Sequence, residues 1–350
     1  MATIPSAEDQ VAFLGKLQRL LAEGDFQATY KYALLAALAD LAVEHGTDDD
    51  RSLDLSVRQI GARFIEFYWR HAAPYGVGRA DATPGVLVQN KGVQAAVISN
   101  ILTFRDQTGI VTELRARSHP AYGVLLSEVS DTVSKQPLNF LQNFGGSTDE
   151  FLYERAGRGK IQLKVGVAFH LRRYHALIQD LVRSRWLGFI RANRMNRSVL
   201  GEADDLEEFL FETSRRSLAL MGEGLRKLEG AVCFYCKDSL READVDHFVP
   251  FAHYARDLAH NFVLTHPECN RSKSDTLAGK LHLERWLERL DVRRDAIAEI
   301  GIDAGIVVDP IVCRRVAAWG YDNAAMAGGQ AWIQARLYEP IDASYRALFR

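Results

Sequence analysis

The sequence predicts a mainly α-helical fold: a large helical N-terminal region, a small metal-stapled module in the C-terminal half, and a helical tail. Three observations predict it. Apolar residues recur at helical spacing through most of the chain. Clean two-residue alternation, the mark of a half-exposed strand, stands out over Lys160–Val165. Three of the four cysteines, with His266, fall between positions 233 and 269 as two pairs with metal-ligand spacing. With 350 residues, 47% hydrophobic and 25% charged, the chain has ordinary globular composition and is long enough for two domains, or one with an appended module.

The elements follow in order. Phe13, Leu14, Leu17, Leu20 and Leu21 form one helical stripe that Gly24 stops. Thr29–His45 repeats the pattern through Tyr30, Ala33, Leu34, Leu38, Leu41 and Ala42, before Gly46. Ser56 is placed to cap a third helix carrying Ile60, Phe64, Phe67 and Tyr68, which Pro74-Tyr75-Gly76 ends. Val93–Phe104 reads as another helix, whereas Val111–Leu114 and Tyr122–Leu126 read as short strands. Gln142–Gly159, rich in Gly, Asn and charge, reads as a loop before the Lys160–Val165 strand. Helical spacing resumes to Ala192, and Asp204–Leu228 forms an amphipathic helix with Leu206, Phe209, Leu210, Leu218, Met221 and Leu225 on one face. Ser272–Leu290 is helical with a break near Gly279. Residues 291–350 read as helices broken at Gly301–Pro310 and Gly328-Gly329, with Trp319, Trp332 and Phe349 as core anchors.

Net charge is −2, but its distribution is uneven. Leu171–Arg197 holds arginines 172, 173, 183, 185, 191, 194 and 197 against the single acid Asp180. Such a stripe, interleaved with Trp186 and Phe189, can face phosphates, with Arg185, Arg191 and Arg194 as the candidate nucleic-acid contacts. The same arginines can instead be solvated or paired with the acidic run Gly201–Glu212. The first ten residues show neither a basic nor an apolar leader region, and no apolar run is long enough to span a membrane. A cytoplasmic protein with metal-bound thiolates is the expectation.

The chemistry is concentrated in Cys233–Asp275. Cys233-x2-Cys236 opens this stretch and His266-x2-Cys269 closes it. A Cys-x2-Cys pair alone also fits a redox pair or two buried cysteines. Joined by the second pair it offers three thiolates and an imidazole, a set suited to tetrahedral structural Zn²⁺. Cys313 stands apart as a small buried hydrophobe.

Between and beside these pairs stand Asp246-His247-x-x-Pro, Asn261-x-x-Leu and Cys269-Asn270-x-x-Lys273. In this order they resemble the HNH endonuclease family and its ββα-metal fold. DVDHFVP followed by NFVLTHPECNRSKSD is similar to the HNH domain of RNA-guided CRISPR effector nucleases, and the zinc pairs are similar to those of the zinc-stapled branch. His266 stands where the family usually has Cys, an accepted exchange. The resemblance implies a catalytic set of His247, Asp246, Asn261 and Asn270. A neutral imidazole suits His247 as general base. Asp246 and the Asn270 amide are hard oxygen donors for Mg²⁺ or Mn²⁺. The family role of Asn261 is to hold the backbone around the histidine. Arg271 and Lys273 are candidate phosphate contacts. His253, His260, Arg256 and Asp257 read as solvated loop residues. Asp246 and His247 are neighbours on one expected strand, so a twist or bulge is needed to turn both towards substrate.

The expected organisation is a helical region over 1–229 for recognition, DNA binding or oligomerisation, an HNH module over 230–290, and a helical tail over 291–350. The expected function is metal-dependent hydrolysis of DNA phosphodiesters, in a protein resembling the stand-alone bacterial HNH nucleases that often serve restriction or antiviral defence. Nicking or RNA cleavage are the enzymatic alternatives, and a non-catalytic, zinc-stabilised nucleic-acid-binding adaptor is the third reading. A C2 dimer would suit double-strand cutting by a one-strand site.

Overall fold

The Tyr30–His45 helix is apolar around its whole circumference, and every residue from Tyr30 to Glu44 is buried. A helix of that kind belongs at the centre of a helical domain. In the computed structural model, which describes residues 3–157, 159–202 and 205–349, that is its place. The chain forms two compact units, 1–212 and 213–350, and 57% of it is helical.

In the first unit the central helix packs against the Val57–His71, Val167–Arg173 and His175–Ala192 helices. Its two buried acids are matched. Glu44 receives Arg63 Nη2 on both oxygens at 2.7 Å, and Asp40 Oδ1 lies 2.8 Å from both His175 Nε2 and Gln179 Nε2. Ser6 and Ser56 cap their helices, each in a reciprocal box with the third residue beyond, Asp9 and Gln59. The Lys160–Leu163 strand lies between Leu53–Ser56 and Tyr153–Arg155, antiparallel to both, with Leu55 opposite Ile161.

Several expectations change here. Val111–Leu114 and Tyr122–Leu126 are not strands: Glu113–Arg117 and Tyr122–Lys135 are helices, the second burying Leu125, Val129 and Val133. A run of five residues cannot separate the two periods, whereas the spacing of four that continues to Val133 does. Within Gln142–Gly159, Asn143–Phe144 pairs with Ser147–Thr148. The turn between them places Gly145 and Gly146 at φ 59° and 76°, as a type I′ hairpin requires. Trp186 is core rather than a surface platform. Arg172 is buried too, on Asp48 and on the carbonyls of Ala42 and Val43 that end the central helix. The expected Asp204–Leu228 helix is two, Leu206–Phe211 and Arg215–Glu229; Asp204 itself lies outside the described residues.

In the second unit, strands Asp244–His247 and Phe262–Thr265 pair antiparallel, and helix Pro267–Lys273 follows. The tail is not wholly helical. After helices Arg294–Ala304 and Pro310–Met326, strands Gln330–Gln334 and Leu337–Pro340 form a hairpin. Its Trp332 is a core anchor, donating Nε1 to Ser272 and backbone N–H to Leu277. Trp319 is also buried.

A buried polar knot in the first unit supplies a test. Gln89 Oε1 accepts from Trp186 Nε1 at 2.7 Å and Thr29 Oγ1 at 3.1 Å, while its Nε2 donates to His71 Nδ1 at 2.9 Å. His71 Nε2 then donates to the Leu210 carbonyl at 3.2 Å. The imidazole is thereby held neutral, and burial lowers its pKa to about 4. Between the ordinary histidine value and about 4 the unfolded chain takes up a proton that the folded chain refuses. Stability should therefore fall as pH drops from about 6.5 to about 4, by up to about 3 kcal/mol. Urea unfolding of wild type and His71→Phe across that range measures it. Identical acid limbs for the two proteins would remove the assignment.

Candidate metal centre and active site

The metal centre is built by two turns brought together by the strand Phe262–Thr265. The first, Cys233–Cys236, is tied to that strand through Phe234 N–H, which donates to the Leu264 carbonyl at 2.8 Å. The second begins where the strand ends, with Pro267 starting a helix immediately after His266. Cys233, Cys236, His266 and Cys269 offer ligand atoms that all lie within 4.8 Å of one another. His266 Nδ1 is 3.3 Å from Cys236 Sγ, while its Nε2 is 3.2 Å from the Ser239 carbonyl. That second contact takes the N–H and leaves Nδ1 as the ligating nitrogen.

The electrostatics call for a cation. Burial would raise the Cys233 thiol, yet the backbone N–H groups of Cys236 and His266 and the Thr265 hydroxyl bring it down to about 6. Burial and the neighbouring sulfurs push Cys269 up to about 12. Thiolates this close repel one another, so all three ionise together only around a positive ion. The donor set and its spacing fit tetrahedral Zn²⁺.

The hairpin behind this centre carries the motif residues. Its register runs Asp244 opposite Thr265, Asp246 opposite Val263 and His247 opposite Phe262, without a bulge. The bulge that would turn Asp246 and His247 to one side is therefore not present, and the alternation of the strand holds. The helix Pro267–Lys273 covers the face of Asp244 and Asp246. There Lys273, 0% exposed, sets Nζ 3.1 Å from Asp246 Oδ2 and 2.9 Å from the His247 carbonyl. Tyr235 donates its hydroxyl to Asp246 Oδ2 at 2.7 Å. Lys273 is thus no phosphate contact; its ammonium neutralises Asp246. One turn earlier on the same helix, Asn270 Nδ2 is 3.2 Å from Asp244 Oδ2. The expected oxygen pair Asp246–Asn270 is not assembled. Asn270 faces Asp244, which sequence reasoning passed over although it stands two residues before Asp246, on the same face.

On the other face, His247 is 23% exposed and lies against the rings of Phe262 and Phe251, with centroids at 4.6 and 5.5 Å. Its Nε2 is 2.5 Å from Asp257 Oδ1. Asp257, expected on the loop surface, is 11% exposed and is also held by the side chain and backbone N–H of Thr213. No spacing signal marks it, because loop and strand meet only in the fold. The Asn261 amide bonds Val249 in both directions at 2.8 Å, fixing the chain two residues beyond His247. His260 is fully buried, its Nε2 3.0 Å from the Arg294 carbonyl, and His253 is half-buried against the Asp275 carbonyl. Neither is solvated. Arg271 is exposed beside Glu268. In the other unit, Arg185, Arg191 and Arg194 are exposed.

Two family models match the chain. Residues 235–278 match the family model of an HNH endonuclease. Residues 10–210, more than half of the chain, match the model of a family described as a domain of unknown function (DUF8808). No curated protein and no solved structure matches the chain.

Zinc in comparable small motifs contributes on the order of 10–16 kcal/mol of apparent binding free energy. Cys236→Ser should therefore reduce bound zinc from one ion per chain to near none and unfold the hairpin. Metal analysis and thermal denaturation test this. Full zinc content with an unchanged transition would remove the site.

Proposed function

We propose, for a chain that belongs to the DUF8808 family and carries an HNH endonuclease module, that it hydrolyses phosphodiester bonds in DNA with His247 as general base. One observation carries the choice of base. Of the five histidines in residues 213–350, His253, His260 and His282 set Nε2 against backbone carbonyls and His266 joins the cysteines. His247 alone among them has a ring nitrogen on a carboxylate and also keeps solvent access. A fixed, accessible imidazole in its neutral form can take the proton of an attacking water.

A hard divalent ion, Mg²⁺ or Mn²⁺, would find oxygen donors in Asp244 and the Asn270 amide, and would supply a Lewis acid for the phosphoryl oxygens. The engagement of Asp246 by Lys273 and Tyr235 favours a supporting role for that carboxylate: it keeps the helix carrying Asn270 against the strand. His247 is the last residue of its strand. A phosphate reaching both His247 and the Asp244 face would therefore lie across the strand end. Arg271, and in the other unit Arg185, Arg191 and Arg194, are exposed cations suited to phosphates elsewhere along the nucleic acid.

Plasmid cleavage in Mg²⁺ and in Mn²⁺ tests the reading. His247→Ala should lower the rate by about 10²–10⁴-fold with zinc content and melting unchanged. A variant that cuts as fast as wild type would exclude His247 as the base.

The two aspartates should separate cleanly. Asp246→Asn leaves the buried Lys273 ammonium uncompensated and should cost about 3–5 kcal/mol of stability. Asp244→Asn should leave melting nearly unchanged and raise the metal concentration needed for cutting. Denaturation together with metal titration reads both, and the opposite pattern would return the metal to Asp246.

A further inference from the structure

We infer that Asp257 is the positioning residue of the proposed nuclease site, fixing the ring and tautomer of His247 so that Nδ1 is the nitrogen presented to the attacking water. The inference rests on the nuclease reading of His247 for its purpose, but its geometry stands on other contacts. A carboxylate only accepts hydrogen bonds, so at 2.5 Å from Asp257 Oδ1 the His247 Nε2 must carry the proton. A neutral imidazole has one N–H, so the lone pair is then on Nδ1.

The carboxylate is itself fixed. It is nearly buried and accepts from both the side chain and the backbone N–H of Thr213, at the start of the Arg215–Glu229 helix. Burial would favour its neutral form, yet the hydrogen bonds from His247 and Thr213 outweigh burial and lower its pKa. It therefore stays an ionised acceptor. The rings of Phe262 and Phe251 flank the imidazole and limit its rotation. The chain on either side is also held, by Lys273 on the His247 carbonyl and by Asn261 on Val249.

The step then balances as follows. A water O–H bond breaks as its oxygen attacks phosphorus, and the proton passes to Nδ1. The P–O ester bond breaks with its electron pair on the departing alkoxide, which solvent water protonates. The imidazolium returns its proton to bulk water. While that cation exists, the Asp257 carboxylate stabilises it, and Nε2 keeps its own proton throughout.

The alternative is that Asp257 only ties the loop to Thr213. The test uses the full, zinc-loaded chain labelled with ¹⁵N-histidine, in wild type and in Asp257→Asn, Asp257→Ala and Thr213→Val. Long-range ¹H–¹⁵N spectra should show His247 protonated at Nε2 in wild type, and a mixed or reversed tautomer in both Asp257 variants. Cleavage kinetics should show kcat falling on the order of 10²-fold or more with KM little changed. Thr213→Val should lie between the two.

Wild-type kcat in the Asp257 variants would overturn the role, as would a lower kcat with the His247 tautomer unchanged. If wild type does not cut, but the His247 tautomer still follows Asp257, the nuclease reading fails while the positioning stands. An unchanged tautomer in a cutting enzyme does the reverse.

Discussion

The second unit depends on one constraint, the mutual repulsion that three thiolates would have within 4.8 Å of one another and of an imidazole. A hairpin with four residues in each strand is marginal by itself. Here its far strand is gripped at one end by both knuckles, through Phe234 N–H on the Leu264 carbonyl and through His266, which follows Thr265 directly. A cation that relieves the thiolate repulsion therefore fixes that strand, and through it the register of its partner, which carries Asp244, Asp246 and His247. The C-terminal hairpin adds a second support. Trp332 packs edge-on against Tyr235 at 5.1 Å and donates to Ser272, between the knuckle and the helix that carries Asn270 and Lys273.

Buried charges complete the alignment. A buried ion pair contributes little net stability because desolvation offsets most of the attraction, but one partner without the other is strongly unfavourable. Asp246 and Lys273 thus penalise any sliding of the helix along the strand. Asp40, Glu44 and Arg63 impose the same condition on the central helix of the first unit, whose apolar surface is otherwise indifferent to rotation. Both units use an apolar core for adhesion and matched charges for register.

Most of this was legible where the information is local. The knuckles follow from two-residue gaps, and the capping role of Ser56 from its place before an apolar period. The central helix was legible as a helix, though not as the buried centre. What escaped depends on which face a residue occupies or on contacts distant in sequence. Lys273 looked like a surface cation because basic residues near a nuclease motif commonly are; only the helix packed on the strand turns it inward. Asp257 and His260 sit in a loop whose polarity reads as solvation. The Gln330–Pro340 hairpin reads as helix in sequence because its partners, Leu277 and Ser272, lie more than fifty positions earlier.

The alternation of the strand, which sequence reasoning treated as an obstacle, is a guide to the site's construction. With no bulge, Asp246 and His247 cannot serve the same phosphate oxygen from the same side. The fold answers by giving them different tasks. One face of the strand is sealed by a helix and a buried lysine; the other holds an imidazole against a carboxylate and two aromatic rings. The two faces meet only at the strand end, beyond His247. That end must hold still for the imidazole to point consistently, and it is there that Asn261 bonds Val249 in both directions. The backbone just past the strand is thus held from the neighbouring strand's side, where the two separately built faces meet.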